Sequence, residues 1–219
     1  MRAASTSLVL ATLLSLASAG ALADSAAPGW YVTGGGGVNV LSDITVHGSP
    51  AEADVANDAG WLLSAAAGYN FRPWRAELEL AYRRNDPDTW KSGGREFSGS
   101  GRLGVTSVLL NGFWDFDRGT GVVPYLGIGL GVVKIDADAW GSHGAGLGAR
   151  VLDGRETLFA AQGIVGVSYV FNPNLRLSVD YRYLRSASGS FRQVSGGGGG
   201  SFRVANHSLM AGLSYHFGP

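Results

Sequence analysis

The stretch Val204–Phe217, VANHSLMAGLSYHF, decides the fold of this chain. Alternate residues in it form an apolar set that ends in aromatic rings, and the residues between them form a small, mostly polar set. A β-strand places two such sets on opposite faces. The first set is Leu209, Ala211, Leu213, Tyr215 and Phe217, and the second is Ser208, Met210, Gly212, Ser214 and His216. The pattern predicts a strand with one oily face and one polar face.

Seven further segments carry strand-like patterns, most of them with the same period of two. The clearest begins at Trp74, where an apolar series running to Tyr82 alternates with charged residues. The predicted strands are 29–40, 60–71, 74–83, 103–116, 122–135, 158–171, 175–185 and 204–217.

The connections between these strands alternate in length. Those at 71–74, 117–121 and 172–174 are short and hold turn-forming residues, whereas 41–59, 84–102, 136–157 and 186–203 are long. Barrels of the bacterial outer membrane have short periplasmic turns and long external loops. We therefore predict an all-β fold, an eight-stranded antiparallel transmembrane β-barrel whose oily face touches lipid.

The first residues predict export. Arg2 precedes an apolar run at positions 8–16, LVLATLLSL, which is shorter than the roughly 20 residues of a spanning helix. The small residues around Ala23 fit a signal-peptidase site, with cleavage after Ala19 as the alternative. The expected organisation is a cleaved signal peptide at 1–23, followed by one barrel domain at 24–219 in the bacterial outer membrane.

Composition excludes several classes of protein. The 219 residues hold 17 basic and 17 acidic side chains, so no basic excess points to nucleic acid. There is no cysteine, so an exported chain must be stable without disulfides, which a closed sheet allows because every strand is paired. Part of the glycine lies at alternate strand positions, at Gly127, Gly129 and Gly131, which predicts close packing on an inner face.

Aromatic residues gather beside the predicted short turns. Amphipathic rings settle at the level of the lipid headgroups, so we expect them to form a belt there; the alternative is the core of a soluble sandwich. A weaker second belt is expected at Tyr82, Phe159, Tyr181 and Tyr183. The first belt comprises Trp30, Tyr69, Phe71, Trp74, Trp114, Phe116, Tyr125, Tyr169, Phe171, Tyr215 and Phe217.

Three motifs make the chain resemble the small outer-membrane β-barrel superfamily, of the OmpA-transmembrane, OmpX and opacity-protein type. They are LLNGFWDF at 109–116, PYLGIGLG at 124–131 and the closing segment 207–217. The resemblance implies that Leu213, Tyr215 and Phe217 form a C-terminal signal that the barrel assembly machinery reads during insertion. The chain departs from the family pattern because Gly218 and Pro219 follow the last aromatic residue.

Charged residues on the polar faces should point into the lumen. An eight-stranded barrel is just wide enough to be filled by its own side chains. We expect a salt-bridge and hydrogen-bond network there, and the alternative is a narrow porin-like pathway for ions or small solutes. The predicted lumen network comprises Arg75, Glu77, Glu79, Asp115, Arg176, Asp180 and Arg182.

Catalytic or metal-binding patterns are weak. Some barrels of this architecture modify lipid A or phospholipid with a His and a Ser, but adjacent residues such as His207 and Ser208 point to opposite faces of a strand. His47 and His143 stand apart, and no spacing matches a metal site. We predict no catalytic residue, no metal and no cofactor, with a lipid-modifying enzyme as a further alternative.

The long loops carry the remaining candidates for contact with other molecules. Trp90, Trp140, Phe191 and Arg192 combine aromatic and cationic character, which suits protein or glycan contact, and rim cations suit lipopolysaccharide phosphates. The sequence therefore predicts a monomeric structural, envelope-integrity or adhesin-like protein. Its expected partners are outer-membrane lipid and lipopolysaccharide, the assembly machinery and a host or surface ligand, without nucleic acid.

Overall fold

The fold is seen in a computed structural model that describes residues 28–44, 53–55, 59–85, 89–92, 95–142, 154–192, 199–202 and 204–217. Eight long strands form one closed antiparallel sheet, in which each strand pairs with its neighbours in sequence and the first pairs with the last. The predicted fold class is confirmed. The strands are β1 (Gly29–Ile44), β2 (Ala59–Asn70), β3 (Trp74–Asn85), β4 (Arg95–Asp115), β5 (Val122–Ser142), β6 (Gly154–Asn172), β7 (Leu175–Ser186) and β8 (Val204–Phe217).

The strands are tilted, and the register gives the stagger that accompanies this tilt. Arg83 on β3 pairs directly with Val105 on β4. Followed the other way around the sheet, the register from Arg83 returns to β4 at Asp115, ten residues further along. A stagger of ten over eight strands closes a barrel narrow enough for side chains to fill. Because ten is even, inward-facing residues stay inward all the way round.

The three short turns are built in the same way, each by the side chain of an Asn or Asp. Asn70 accepts a hydrogen bond from the Arg72 N–H at 3.1 Å, Asp117 from the Gly119 N–H at 2.9 Å, and Asn172 from the Asn174 N–H at 2.9 Å. Such side chains imitate a backbone turn two residues on. Gly119 also adopts a φ of 72°, which only glycine accepts without strain.

The extracellular ends differ from the sequence prediction. Strands β4 and β5 run to 21 residues each, so β4 begins eight residues before the predicted start and β5 ends seven residues after the predicted end. Within the predicted loops, the short strand Thr89–Ser92 pairs with β4 and with Ala53–Val55, and Gly189–Arg192 pairs with Gly199–Phe202. The prediction stopped where the apolar alternation stopped, because outside lipid both faces of a strand can be polar.

The outer face of the barrel is apolar and the lumen is polar, the reverse of a soluble sandwich. On the outside Leu110 is 63% exposed and Ile128 is 74% exposed, whereas inside Glu79 is 1% exposed and Arg83 is fully buried. Such a wall suits lipid hydrocarbon, where the closed ladder of hydrogen bonds satisfies the backbone. Across the described ranges, no helix is long and apolar enough to span a bilayer.

Candidate functional sites in the lumen and on the wall

The periplasmic half of the lumen contains an ion triplet centred on Asp115 of β4. The Arg75 Nε donates to both carboxylate oxygens at 3.1 and 3.0 Å, and Nη1 of Arg176 donates to Oδ2 at 2.8 Å. Their side chains are all at most 7% exposed. Arg75 lies on β3 and Arg176 on β7, which stand four strands apart, so the triplet joins opposite walls.

Three aromatic rings surround the guanidinium of Arg75. Its central carbon lies 4.5 Å from the ring centre of Phe113, 5.2 Å from that of Tyr125 and 5.8 Å from that of Tyr31. Aromatic faces attract a cation, most strongly where water is excluded. Arg75 also donates to the Tyr31 hydroxyl at 3.4 Å. The rings hold this arginine in one place and close the lumen around it.

A second cross-tie lies nearer the middle of the lumen and centres on Arg182 of β7. Its Nη1 donates to Glu79 on the opposite strand β3, and its Nε donates to Asp180 at 2.6 Å. The Tyr125 hydroxyl donates to the other Asp180 oxygen at 2.8 Å. Asn111 also donates to Glu79 at 3.2 Å. Charge here is neutralised by partners from several strands, as burial requires.

The extracellular half of the lumen is polar but carries fewer ion pairs. Ser208 donates to Asn39 at 2.9 Å, and Asn39 donates to Asn85 at 2.6 Å, which links β8, β1 and β3. Arg83 donates to Ser107 at 2.8 Å, and its Nε and Nη2 have no hydrogen-bond partner among the described residues. Both amide atoms of Asn206 are likewise unpartnered there. These groups fit internal water molecules.

The described lumen is balanced in charge. Its buried acids are Glu77, Glu79, Asp115 and Asp180, and its buried arginines are Arg75, Arg83, Arg176 and Arg182. A cavity of about 20 Å³ remains beside Glu77, between the two cross-ties, enough for one water molecule. All seven side chains predicted to line the lumen lie inside it, at 1–7% exposure. The alternation of side-chain faces along a strand predicts that they point inward, but it does not identify their partners.

The aromatic residues of the first predicted belt lie at the periplasmic edge and contact one another in pairs, mostly edge to face. Trp74 and Trp114 are 4.2 Å apart between ring centres, and Trp30 and Tyr69 are 5.3 Å apart. Tyr125 is the exception: it is 4% exposed and faces the lumen. The expectation for Tyr125 is wrong, because Tyr125 lies on the same inward face of β5 as Gly127. The other members at this edge are Phe71, Phe116, Tyr169, Phe171, Tyr215 and Phe217.

The second predicted belt lies at the extracellular end of the wall. Trp61 joins it, with its ring centre 5.5 Å from that of Tyr82 and the two rings tilted against each other. His207 also faces outward here, between Tyr181 and Tyr183, whereas Ser208 is buried and bonded to Asn39. The two neighbours therefore point to opposite faces. In the described part of the chain, no group of three His, Cys, Asp or Glu could hold a metal ion.

Several predicted features fall where the structure does not describe them. The backbone of Trp90, Trp140, Phe191 and Arg192 lies in strands, but their side chains are outside the described set, and so is the predicted signal peptide at 1–23. The sequence reasoning also missed Tyr31, whose inward parity was available from its out-of-phase neighbours Trp30 and Val32.

Comparison with known proteins identifies the family of this chain. The model described as "Outer membrane protein beta-barrel domain" matches residues 9–217. Outer membrane protein PagN of Salmonella typhimurium is 24% identical over 88% of this chain and 92% of its own length. Neisserial surface protein A covers 86% of this chain and 97% of its own, at 20% identity and a TM-score of 0.57. OprG of Pseudomonas aeruginosa covers 89% and 99%, at 19% identity and the same TM-score of 0.57. The two solved structures share the fold.

Proposed function

The chain belongs to the outer membrane protein beta-barrel domain family, and from this premise we propose a non-enzymatic role at the cell surface. In this role the barrel anchors extracellular strands and loops that contribute to envelope integrity and contact a surface or host ligand. The barrel wall provides the anchor in lipid and the filled lumen makes it rigid.

One observation carries this proposal: the two longest strands, β4 and β5, continue past the apolar wall on the side opposite the three short turns. The short strands Thr89–Ser92 and Ala53–Val55 extend the same sheet. At about 3.3 Å per residue on strands tilted by about 40°, seven or eight additional residues carry the sheet roughly 20 Å further from the membrane. A projection of this length suits contact beyond the lipid surface.

The packing of the lumen argues against the alternative of a narrow channel. Arg182 bonds to Glu79 across the barrel and Asp115 holds two arginines, and all these groups are at most 7% exposed. These cross-ties join opposite walls and are almost inaccessible to a water-sized sphere. A channel would require these cross-ties to separate.

The alternative of a lipid-modifying enzyme also lacks support. A hydrolytic pair needs a base within hydrogen-bond reach of the nucleophile. His207 and Ser208 face opposite sides of β8, and Ser208 is bonded to Asn39 instead.

We also propose partners and processing for the barrel. Lipopolysaccharide surrounds the extracellular end of the wall, and the barrel assembly machinery reads Leu213, Tyr215 and Phe217 during insertion. We further propose that residues 1–23 are a cleaved signal peptide, so that the mature chain begins at Asp24, and that the barrel is a monomer.

The test separates loops from barrel. In one variant, short Gly-Ser linkers replace 45–58 and 86–102; in a control, Asp117 and Arg118 of a periplasmic turn become Asn and Gln. Both should insert and keep the electrophoretic shift on heating that folded barrels show. We expect the loop variant alone to lose surface adhesion, serum survival or detergent resistance. Unchanged cells in all three assays would refute the proposal.

A further inference from the structure

Three hydrogen-bond donors gather on the lipid-facing wall near the extracellular end of β7 and β8. Tyr183 is paired directly with His207, and Arg185 follows Tyr183 by two residues on the same outward face. Side chains in such positions lie within about 5–8 Å of one another. Arg185 is exposed, and no partner for its guanidinium is described in the ranges that the structure covers. We call Tyr183, Arg185 and His207 the donor cluster.

The orientation of His207 adds to this cluster. The Tyr181 hydroxyl is hydrogen-bonded to Nδ1 of His207, and the Tyr183 ring lies 4.9 Å from the imidazole. When a tyrosine hydroxyl donates to Nδ1, a neutral imidazole carries its proton on Nε2. With Nδ1 engaged by Tyr181, Nε2 is the ring nitrogen that remains to donate to a ligand. The cluster thus offers one permanent cation, one tyrosine hydroxyl and one imidazole nitrogen.

A shallow trough lies beside the cluster on the outer wall of β6. Its floor is Ala161 and Gly163, and nothing lies within 4 Å of the point where a Gly163 side chain would begin. Ala161 is paired with Arg185 on one side and with Leu130 on the other. Gly163 is likewise flanked by Tyr183. The trough is apolar, spans these two positions between Phe159 and Val165, and lies beside Arg185 and Tyr183 of the donor cluster.

The height of the cluster fixes the kind of molecule it meets. Arg185 is ten residues from Leu175, where β7 leaves a periplasmic turn. Ten residues at about 3.3 Å each on a strand tilted by about 40° rise roughly 25 Å, the height of the apolar band of such barrels. Arg185 therefore reaches the headgroup level of the outer leaflet, where the phosphates of lipopolysaccharide lie.

We propose that the donor cluster binds a phosphate of lipid A, with an acyl chain of the same molecule lying in the trough over Gly163. Arginine matches phosphate through parallel hydrogen bonds, which are the strong charge-assisted kind. The tyrosine and histidine donors fix the phosphate against the wall. This proposal rests on the lipopolysaccharide partner proposed above, and the donor cluster supplies the residues that hold it.

The experiment uses the full mature chain refolded in neutral detergent and titrated with purified bisphosphorylated lipid A, with binding read by native mass spectrometry. Arg185→Gln should weaken binding about ten-fold, and Tyr183→Phe, which removes only a hydroxyl, about three-fold. Arg118→Gln is the matched control, because Arg118 is an exposed arginine at the opposite, periplasmic edge. It should bind as the unaltered protein does. The heat-dependent electrophoretic shift verifies folding of each variant.

Further arms identify the phosphate and its source. Lipid A stripped of both phosphates should bind the unaltered protein and Arg185→Gln equally and weakly, and phosphatidylglycerol should compete poorly. The site is refuted if Arg185→Gln binds lipid A normally, if Arg118→Gln loses as much affinity, or if phosphatidylglycerol competes equally. Since loop replacement does not touch Arg185, its phenotypes test the surface role separately.

Discussion

Replacing Asp115 by Asn tests whether the ion triplet stabilises the barrel. The change leaves Arg75 and Arg176 buried without their shared carboxylate, which they contact at 3.0 and 2.8 Å. With charge centres about 4 Å apart and an effective dielectric constant of about 20, each attraction is worth about 4 kcal/mol. Breaking a buried pair costs roughly 3–5 kcal/mol. Because asparagine keeps one acceptor oxygen, we expect a loss of about 3 kcal/mol.

The assay is reversible urea unfolding in lipid vesicles, followed by tryptophan fluorescence. Lys134→Gln is the control, because its pair with Asp136 is 3.8 Å long and half exposed; it should cost at most about 1 kcal/mol. Adding Arg176→Gln to Asp115→Asn removes one unpaired cation, so the double variant should lose about 1–2 kcal/mol less than the sum of the single variants. A cost for Asp115→Asn no larger than that of the control would refute the reasoning.

Three further predictions follow from packing, lipid contact and closure. Gly129→Val should cost more than about 2 kcal/mol in the same assay, because its side chain would overlap Asn111, whereas Gly112→Val faces open space and should stay within about 0.5 kcal/mol; equal costs would contradict the packing. A chain whose single tryptophan is Trp74 should be quenched by lipids brominated near the headgroup more than by lipids brominated at the acyl ends, and the reverse order would misplace the belt. In planar bilayers the unaltered barrel should show no stable open steps, and steps altered by Arg182→Gln would instead favour a channel.

Much of the fold could be read from the sequence because lipid imposes one strict requirement. A strand in the membrane must be apolar on its outer face throughout, so the alternation in Trp74–Asn85 and Val204–Phe217 was plain. Outside lipid that requirement ends, and the apolar alternation in the sequence ends with it. The sequence therefore predicts loops where the distal parts of β4 and β5 lie. Hydrogen bonding between those strands continues without apolar alternation.

The lumen was readable only in part. Parity along a strand gives the face of each charge, as for Glu79 and Arg182, but a partner across the barrel depends on the stagger of all eight strands. The aromatic cage of Arg75 could not be found for the same reason, since Tyr31 and Tyr125 come from distant strands. The donor cluster could not be recognised from the sequence, because it depends on the pairing of β7 with β6 and β8.

The cross-ties also bear on how the chain avoids a misaligned cylinder. Sliding one strand by two residues keeps every greasy side chain outside, so contact with hydrocarbon alone cannot distinguish the right alignment from that error. A slip of β3 that brings Ala81 to the level of Glu79 would carry Glu79 about 7 Å away from Arg182 and leave Arg182 with Asp180 alone. The ion pairs in the lumen therefore select the correct strand register, which contact with lipid cannot distinguish.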